Sequence, residues 1–329
     1  MIKIAFFDVD GTLLKMGHKE LSERTLHALI SLRRNGVKLC MATGRGYLSA
    51  PRFPGIDFDA LLTFNGSYVT VGDEIIFKCP LDRMDKLQIL QNLKGMHRAV
   101  AISNEHFIIT NGTDPDLEQY FRFGNEMLKI DKQFDERVRE DIYQMMCACR
   151  EEEYERILYG THHTQITAWW DRAADIIPLE CGKGNAVRAV LQHFGFTKEE
   201  AIAFGDGVND IEMLEAVGTG VAMGNAKDEI KAHATCTCRS VEEDGVYDFC
   251  LEHGLITIWA LLPAFPSLFR HPLLHMHSSG FYHKRSPRPA GRRSHPAASF
   301  CRMYEPALCS YIPSERLRFV HSRRFRLKM

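Results

Sequence analysis

The sequence predicts an α/β protein: a doubly wound, mainly parallel core sheet, an α+β cap inserted into it, and a basic tail after it. Three observations carry this expectation. Short apolar runs of strand length alternate with helical periodicity over residues 1–82 and again over 182–256. Between them, over 83–181, the rhythm gives way to irregularly spaced helices and short strands. After Ile256 the composition changes abruptly. The first two segments are therefore assigned to one Rossmann-like core, the third to the cap, and 257–329 to a tail expected to be disordered.

The elements follow in order. Ile2 to Val9 is a short apolar run suited to a buried parallel strand. Ser22 can cap a helix whose apolar face is Leu26, Leu29, Ile30 and Leu32, with Gly36 as its stop. Val37 to Ala42 and Ala60 to Phe64 read as further buried strands, and Gly72-Asp73 joins Thr70–Val71 to Ile75–Phe77 as a hairpin. In the cap, helices are expected over Met84–Leu93 and Arg137–Cys149, with strands at Ala99–Ser103, Phe107–Thr110 and Thr164–Trp169. The core resumes with a helix over Gly184–Phe194 ended by Gly195, a strand at Ala201–Phe204, a helix at Ile211–Ala216 and a strand at Gly220–Met223.

Composition sets limits. The chain has 329 residues, is 45% hydrophobic and 25% charged, and so has the make-up of a folded globular protein. No apolar run reaches the length of a membrane span, and the first residues do not read as a signal peptide, so a cytoplasmic protein with no membrane partner is expected. The ten cysteines include two CxC pairs and no CxxC pair, which fits reduced thiols better than a zinc site. The net charge of −1 hides an asymmetry: 257–329 holds 13 lysines and arginines against two acids, with eight of the 13 prolines.

Four segments carry chemistry. Asp8-Val9-Asp10-Gly11-Thr12 follows the first strand; residues two apart on a strand share a side, so Asp8 and Asp10 are expected to converge, with Gly11 turning the backbone away. Two carboxylates so close cannot both ionise freely, and a divalent metal on Asp8 would leave Asp10 able to hold a proton: a nucleophile and a general acid/base. Ala42-Thr43-Gly44-Arg45 offers a hydroxyl and free backbone N–H groups at a strand end, suited to a phosphate. Lys183 sits just before the helix of Gly184 to Phe194, where a cation opposes the helix dipole unless it answers an anion. Gly205-Asp206-Gly207-Val208-Asn209-Asp210 supplies hard oxygen ligands of the kind Mg²⁺ takes. All four sit where ligands bind in an open α/β sheet, at the carboxyl ends of its strands.

This set, together with Phe64-Asn65-Gly66, Gly220 to Ala226 and Glu243-Asp244-Gly245-Val246, resembles the haloacid dehalogenase superfamily, and within it the Cof-type branch of small-molecule phosphatases, over about residues 1–256. The resemblance implies that Asp8 attacks phosphorus and becomes an aspartyl-phosphate, and that Asp10 protonates the leaving alcohol and then deprotonates water. It implies that Thr43, Gly44, Lys183 and Asn209 hold the phosphoryl oxygens. It further implies that Mg²⁺ binds Asp8, the Asp10 carbonyl and Asp206, with Asp210 as a near partner. The expected substrate is a small phosphorylated metabolite, a sugar phosphate or phosphorylated cofactor, handled by a monomer or homodimer. A phosphomutase or phosphotransferase would share the intermediate. A rival of another class is a protein that binds polyanions or nucleic acid through its basic tail; the complete catalytic set argues against it. Two departures stand out: the stretch after Arg45 is broken by Pro51 and Pro54, shortening the helix usual there, and the tail has no counterpart, so a chain ending near Ile256 should fold and keep its activity. In the cap, His162-His163 and Trp169-Trp170 are candidate substrate contacts, and Glu151-Glu152-Glu153 reads as a solvated face.

Overall fold

A computed structural model describes residues 1–124 and 126–257 of the chain; the 258–329 part of the tail, and the disorder expected of it, lie outside the described residues. The chain opens with β1 (Ile4–Phe7), every residue of which is buried. Helix α1 (Glu23–Arg34) starts where Ser22 accepts a hydrogen bond from the Thr25 N–H and ends at Asn35, with Gly36 at φ +80° just beyond. Strands β2 (Lys38–Ala42), β3 (Ala60–Thr63), β4 (Tyr68–Val71) and β5 (Glu74–Lys78) follow, the last two paired as the expected hairpin. The stretch after Arg45 makes only one turn, in which the Ala50 N–H donates to the Gly46 carbonyl.

The middle of the chain builds a second sheet. Its elements are α2 (Arg83–Gly95), β6 (Val100–Ser103), β7 (Ile108–Thr110), α3 (Pro115–Phe123), the single turn α4 (Phe134–Arg137), β8 (Gln144–Ala148), the turn α5 (Tyr154–Ile157), β9 (Thr164–Trp170) and β10 (Ala173–Pro178). The strand order β7-β6-β8-β10-β9 is antiparallel throughout. The helix expected over Arg137–Cys149 is thus corrected: it ends where it was to begin, and β8 is the central strand, buried at all five positions. Gln, Met, Cys and Ala tolerate a helix, but hydrogen-bonding partners on both sides decide a central strand, and those partners lie far away in sequence. The sequence reading also passed over α3, although Asp114 caps it and Pro115 occupies its first turn, and β10.

The chain then returns to the first sheet through α6 (Lys183–Phe194), β11 (Ala201–Gly205), α7 (Ile211–Glu215), β12 (Thr219–Ala222), α8 (Asp228–Lys231), β13 (Cys236–Thr237) and α9 (Gly245–Glu252). The order is β13-β12-β11-β1-β2-β3-β4-β5, parallel from β13 to β3. Alternation splits β1 between two cores: Ala5 and Phe7 pack with Leu29, Leu32 and Phe249 of α1 and α9, while Ile4 and Phe6 pack with Val187, Val190 and Met213 of α6 and α7. Helices on both faces make the core doubly wound, as expected. The two crossings between the sheets run side by side, with Cys181 Sγ 3.9 Å from the Cys79 carbonyl oxygen.

Candidate active site

Asp8 stands one residue past β1, its N–H donating to the Phe204 carbonyl at 2.9 Å, so that its carboxylate leaves the sheet at the carboxyl end. Lys183, the first residue of α6, is buried and places Nζ 2.6 Å from Asp8 Oδ1 and 2.6 Å from Asp210 Oδ1. The anion that a lysine at a helix start was expected to answer is this carboxylate pair. Burial disfavours the ammonium, yet Asp210 and Asp8 outweigh it and hold Lys183 charged above the ordinary lysine range. Asp8 is pushed well above its ordinary value, first by burial and then by Asp210, despite the opposing pull of Lys183.

Asp210 uses both oxygens locally: Oδ1 takes Lys183, and Oδ2 accepts the N–H groups of Asp206 at 2.9 Å and Gly207 at 2.8 Å. It shapes the loop after β11 and so aims Asp206. Asp206 receives Thr12 Oγ1 on Oδ1 at 2.9 Å and Asn225 Nδ2 on Oδ2 at 3.0 Å; burial, then Asp210, raises it to about 7. Gly11, at φ +91°, lies against this carboxylate, where no side chain could fit.

Asp10 lines the same cavity as Asp8. Its carboxylate is clasped by Arg45, with Nε 2.8 Å from Oδ2 and Nη2 2.6 Å from Oδ1, a two-point pairing. The carboxylates that raise Asp8 are those of Asp210 and Asp206. Thr43 is buried and its Oγ1 accepts the Arg45 N–H at 3.1 Å, and Gly44 packs against Asn65. Asn209 Nδ2 donates to Asn65 Oδ1 at 2.9 Å.

Seven of the eight catalytic, phosphate-binding and metal candidates from the sequence, Asp8, Asp10, Thr43, Gly44, Asp206, Asn209 and Asp210, line one cavity of about 1010 Å³, and the eighth, Lys183, contacts two of them. The second sheet supplies its far wall, with Tyr120, Phe123, Trp169 and Trp170 beside Gln144 and Arg150. Trp169 packs on Tyr120 at 5.2 Å and on Phe123 at 5.6 Å between ring centroids. Trp169 and Trp170 therefore reach the cavity, whereas the N–H groups of His162 and His163 donate to Asp85, away from it. Glu151 and Glu152 are exposed, and Glu153 is tied to Arg98.

Oxygens of Asp8, Asp206 and Asp210 all lie within 4.8 Å of one another. Lys183 supplies one positive charge against these three, and among the described residues no hydrogen bond reaches Asp8 Oδ2. Excess buried negative charge and all-oxygen donors fit a hard divalent cation. The Asp10 carboxylate is outside this cluster. Among the described residues no histidine or cysteine joins such a group, and the eight described cysteines are free thiols. Three participants escaped the sequence reading: Arg45, quoted only as part of its motif, Asn65, given no role, and Asp175, whose isolated carboxylate on a strand gave no signal.

The chain is similar to known proteins in both sequence and fold. Residues 5–250 match the family described as haloacid dehalogenase-like hydrolases. The chain is 30% identical over 257 residues to YkrA of Bacillus subtilis (strain 168), which is named as a phosphatase, covering 77% of this chain and 98% of that one. It is 31% identical over 263 residues to the 5-amino-6-(5-phospho-D-ribitylamino)uracil phosphatase YitU of the same organism, covering 75% and 95%. Among solved structures, a sugar phosphatase of subclass IIB superposes with a TM-score of 0.70 at 28% identity, covering 77% of this chain and all of the other.

Proposed function

Because this chain belongs to the haloacid dehalogenase-like hydrolases and is a phosphatase, we propose that it hydrolyses a small phosphorylated metabolite, a sugar phosphate or a phosphorylated cofactor, with Asp8 as nucleophile. The single observation that carries this is Lys183 Nζ, 2.6 Å from both Asp8 and Asp210 at the floor of the cavity. Segment 83–181 is read as the cap that selects the leaving group. The cytoplasm is read as its place of action; among the described residues no helix is long and apolar enough to cross a membrane.

In the proposed first step, a carboxylate oxygen of Asp8 attacks phosphorus while the ester P–O bond breaks, and Asp10 gives its proton to the departing alkoxide. In the second, Asp10 takes a proton from water, whose oxygen attacks the phosphorus of the aspartyl-phosphate and restores the Asp8 carboxylate with release of phosphate. Lys183, Thr43, the backbone at Gly44 and Asn209 hold the phosphoryl oxygens as charge builds on them. Arg45 holds Asp10 in the free enzyme, and the leaving-group oxygen displaces one of its two bonds. Asp8, Asp206 and the Asp10 carbonyl would hold Mg²⁺, with Asp210 behind them; when bound, the ion offsets the negative charge of nucleophile and phosphoryl group together. A screen of phosphorylated sugars and phosphorylated heterocycles with phosphate release as readout tests the reading. No release from any of them with Mg²⁺ present would overturn it. Loss of ester without free phosphate, on adding an acceptor sugar, would convert it to a phosphotransferase.

A further inference from the structure

We infer that Asp175 is a positioning residue for phosphoryl transfer: acting through Asn65, it fixes the orientation of Asn209 and ties the phosphate end of the cavity to the seating of the second sheet. The inference rests on the phosphatase reading of the site.

Asp175 lies within β10, 1% exposed. Its Oδ1 accepts from the Tyr120 hydroxyl at 2.6 Å and its Oδ2 from Asn65 Nδ2 at 3.0 Å. A carboxylate can only accept, so the Asn65 amide must turn its nitrogen to Asp175 and its oxygen the other way. That oxygen then accepts from Asn209 Nδ2 at 2.9 Å. Gln144 supports the same choice, because its Oε1 stands 3.4 Å from Asn65 Nδ2. Were the Asn65 amide reversed, its oxygen would face two acceptors and its nitrogen would face the Asn209 nitrogen. Asn209 would lose its partner and its fixed direction.

The backbone holds Asn65 where this exchange happens. Its φ of 53° and ψ of 32° are left-handed, a region asparagine enters more readily than most residues, and it is fully enclosed. Asn209 sits beside Asp210, which holds Lys183, so the chain of contacts ends at the groups assigned to the phosphoryl oxygens. It begins on the substrate side, where Tyr120 packs on Trp169 of the cavity wall. Asp175, Gln144 and Tyr120 belong to the second sheet and its helix, whereas Asn65 and Asn209 follow strands of the first. The relay is therefore complete only when the two sheets are seated together. A carboxylate is also an expensive choice for this spot: burial raises it to about 6, against the hydrogen bonds of Tyr120, Asn65 and Gln144. Packing alone would be served by an uncharged residue.

The test is a double-mutant cycle on the full chain, with p-nitrophenyl phosphate as substrate, Mg²⁺ present, and thermal unfolding recorded for every variant. Asp175→Leu, which keeps the branched outline and removes the acceptor, should lower kcat about tenfold or more, and Asp175→Asn, which can still accept, should stay within about threefold of wild type. In an Asn209→Ala background, Asp175→Leu should change kcat by less than about twofold, since its effect runs through the residue already removed. Losses that multiply, or an Asp175→Asn variant as slow as Asp175→Leu, would overturn the inference. If Asp175→Leu does not fold, Asp175→Ala takes its place in the cycle. If the wild-type chain releases no phosphate, the phosphatase reading falls separately. The unfolding midpoints of the Asp175→Ala/Asn209→Ala cycle then decide: a loss in the double variant well short of the sum supports the relay, and additive losses reject it.

Discussion

Gly11 and Asp206 approach so closely that a Cβ on Gly11 would stand 2.2 Å from Asp206 Oδ2, with the Gly11 backbone at φ +91°. Both the first motif and the loop after β11 are thereby locked to each other. Gly11→Ala should cost about 2–4 kcal/mol of stability through strain and displacement of Asp206, and reduce turnover with it. Chemical denaturation and phosphate release would check this; a change under about 0.5 kcal/mol would show that the loop moves aside freely.

Asp8→Asn separates chemistry from stability. The variant loses the attacking oxygen's charge, and phosphate release should fall by at least about a thousandfold. Its melting temperature should equal or exceed that of wild type, because burial and Asp210 already make the Asp8 carboxylate costly. Circular dichroism melts beside phosphate assays provide both readouts, and substantial turnover in the folded variant would remove Asp8 from its role.

Lys183→Met should behave oppositely. It leaves the carboxylates of Asp8 and Asp210 without the ammonium each contacts at 2.6 Å, and loss of one partner from a buried charge group costs about 3–5 kcal/mol. The double variant Lys183→Met/Asp8→Asn should recover part of that loss in urea unfolding, since one orphaned charge is then gone.

A divalent cation should bind the native state alone. Raising Mg²⁺ to a hundredfold above its dissociation constant should then add about 2.7 kcal/mol of stability, and EDTA should abolish both this gain and the activity. Ca²⁺, which prefers more ligands at longer distances, should restore turnover poorly. Asp206→Asn should blunt the Mg²⁺-induced rise in melting temperature; an unchanged rise would place the ion elsewhere.

Asp175 predicts a pH dependence. Its carboxyl is raised from 3.8 to about 6 by burial, despite Tyr120, Asn65, Gln144 and the charge of Lys183. A raised acid favours the folded state most below its unfolded value, so this contribution is full below about pH 4 and disappears as pH rises through about 6. Compared with Asp175→Asn, the wild type should lose about 3 kcal/mol between pH 4 and 7.5, measurable by urea unfolding across that range. Parallel curves for the two proteins would refute it.

The core of the molecule was legible because its signals are local. Buried parallel strands read as apolar runs, Ser22 and Gly36 punctuate α1, and Lys183 looked misplaced at a helix start until its two carboxylates appeared. What the sequence hid is long-range. Arg45 meets Asp10 across 35 positions and Asn65 meets Asp175 across 110, and no spacing rule reports such pairs. Asp8 and Asp10 share a motif yet bond to different partners, Lys183 and Arg45, both far away in sequence. Strand β8 was lost for the same reason: its identity is set by β6 and β10, not by its own residues.

The side-by-side crossings between the sheets bear on the charge at the site. Cys181, Gly182 and Lys183 are consecutive, so the return crossing ends on the residue whose Nζ stands 2.6 Å from Asp8 Oδ1. Gly182 has φ +157°, and a Cβ there would stand 2.1 Å from Glu212 Oε2, so the backbone that leads into this ammonium admits no side chain. A substitution at Gly182 would therefore be felt at the attacking carboxylate through Lys183 alone.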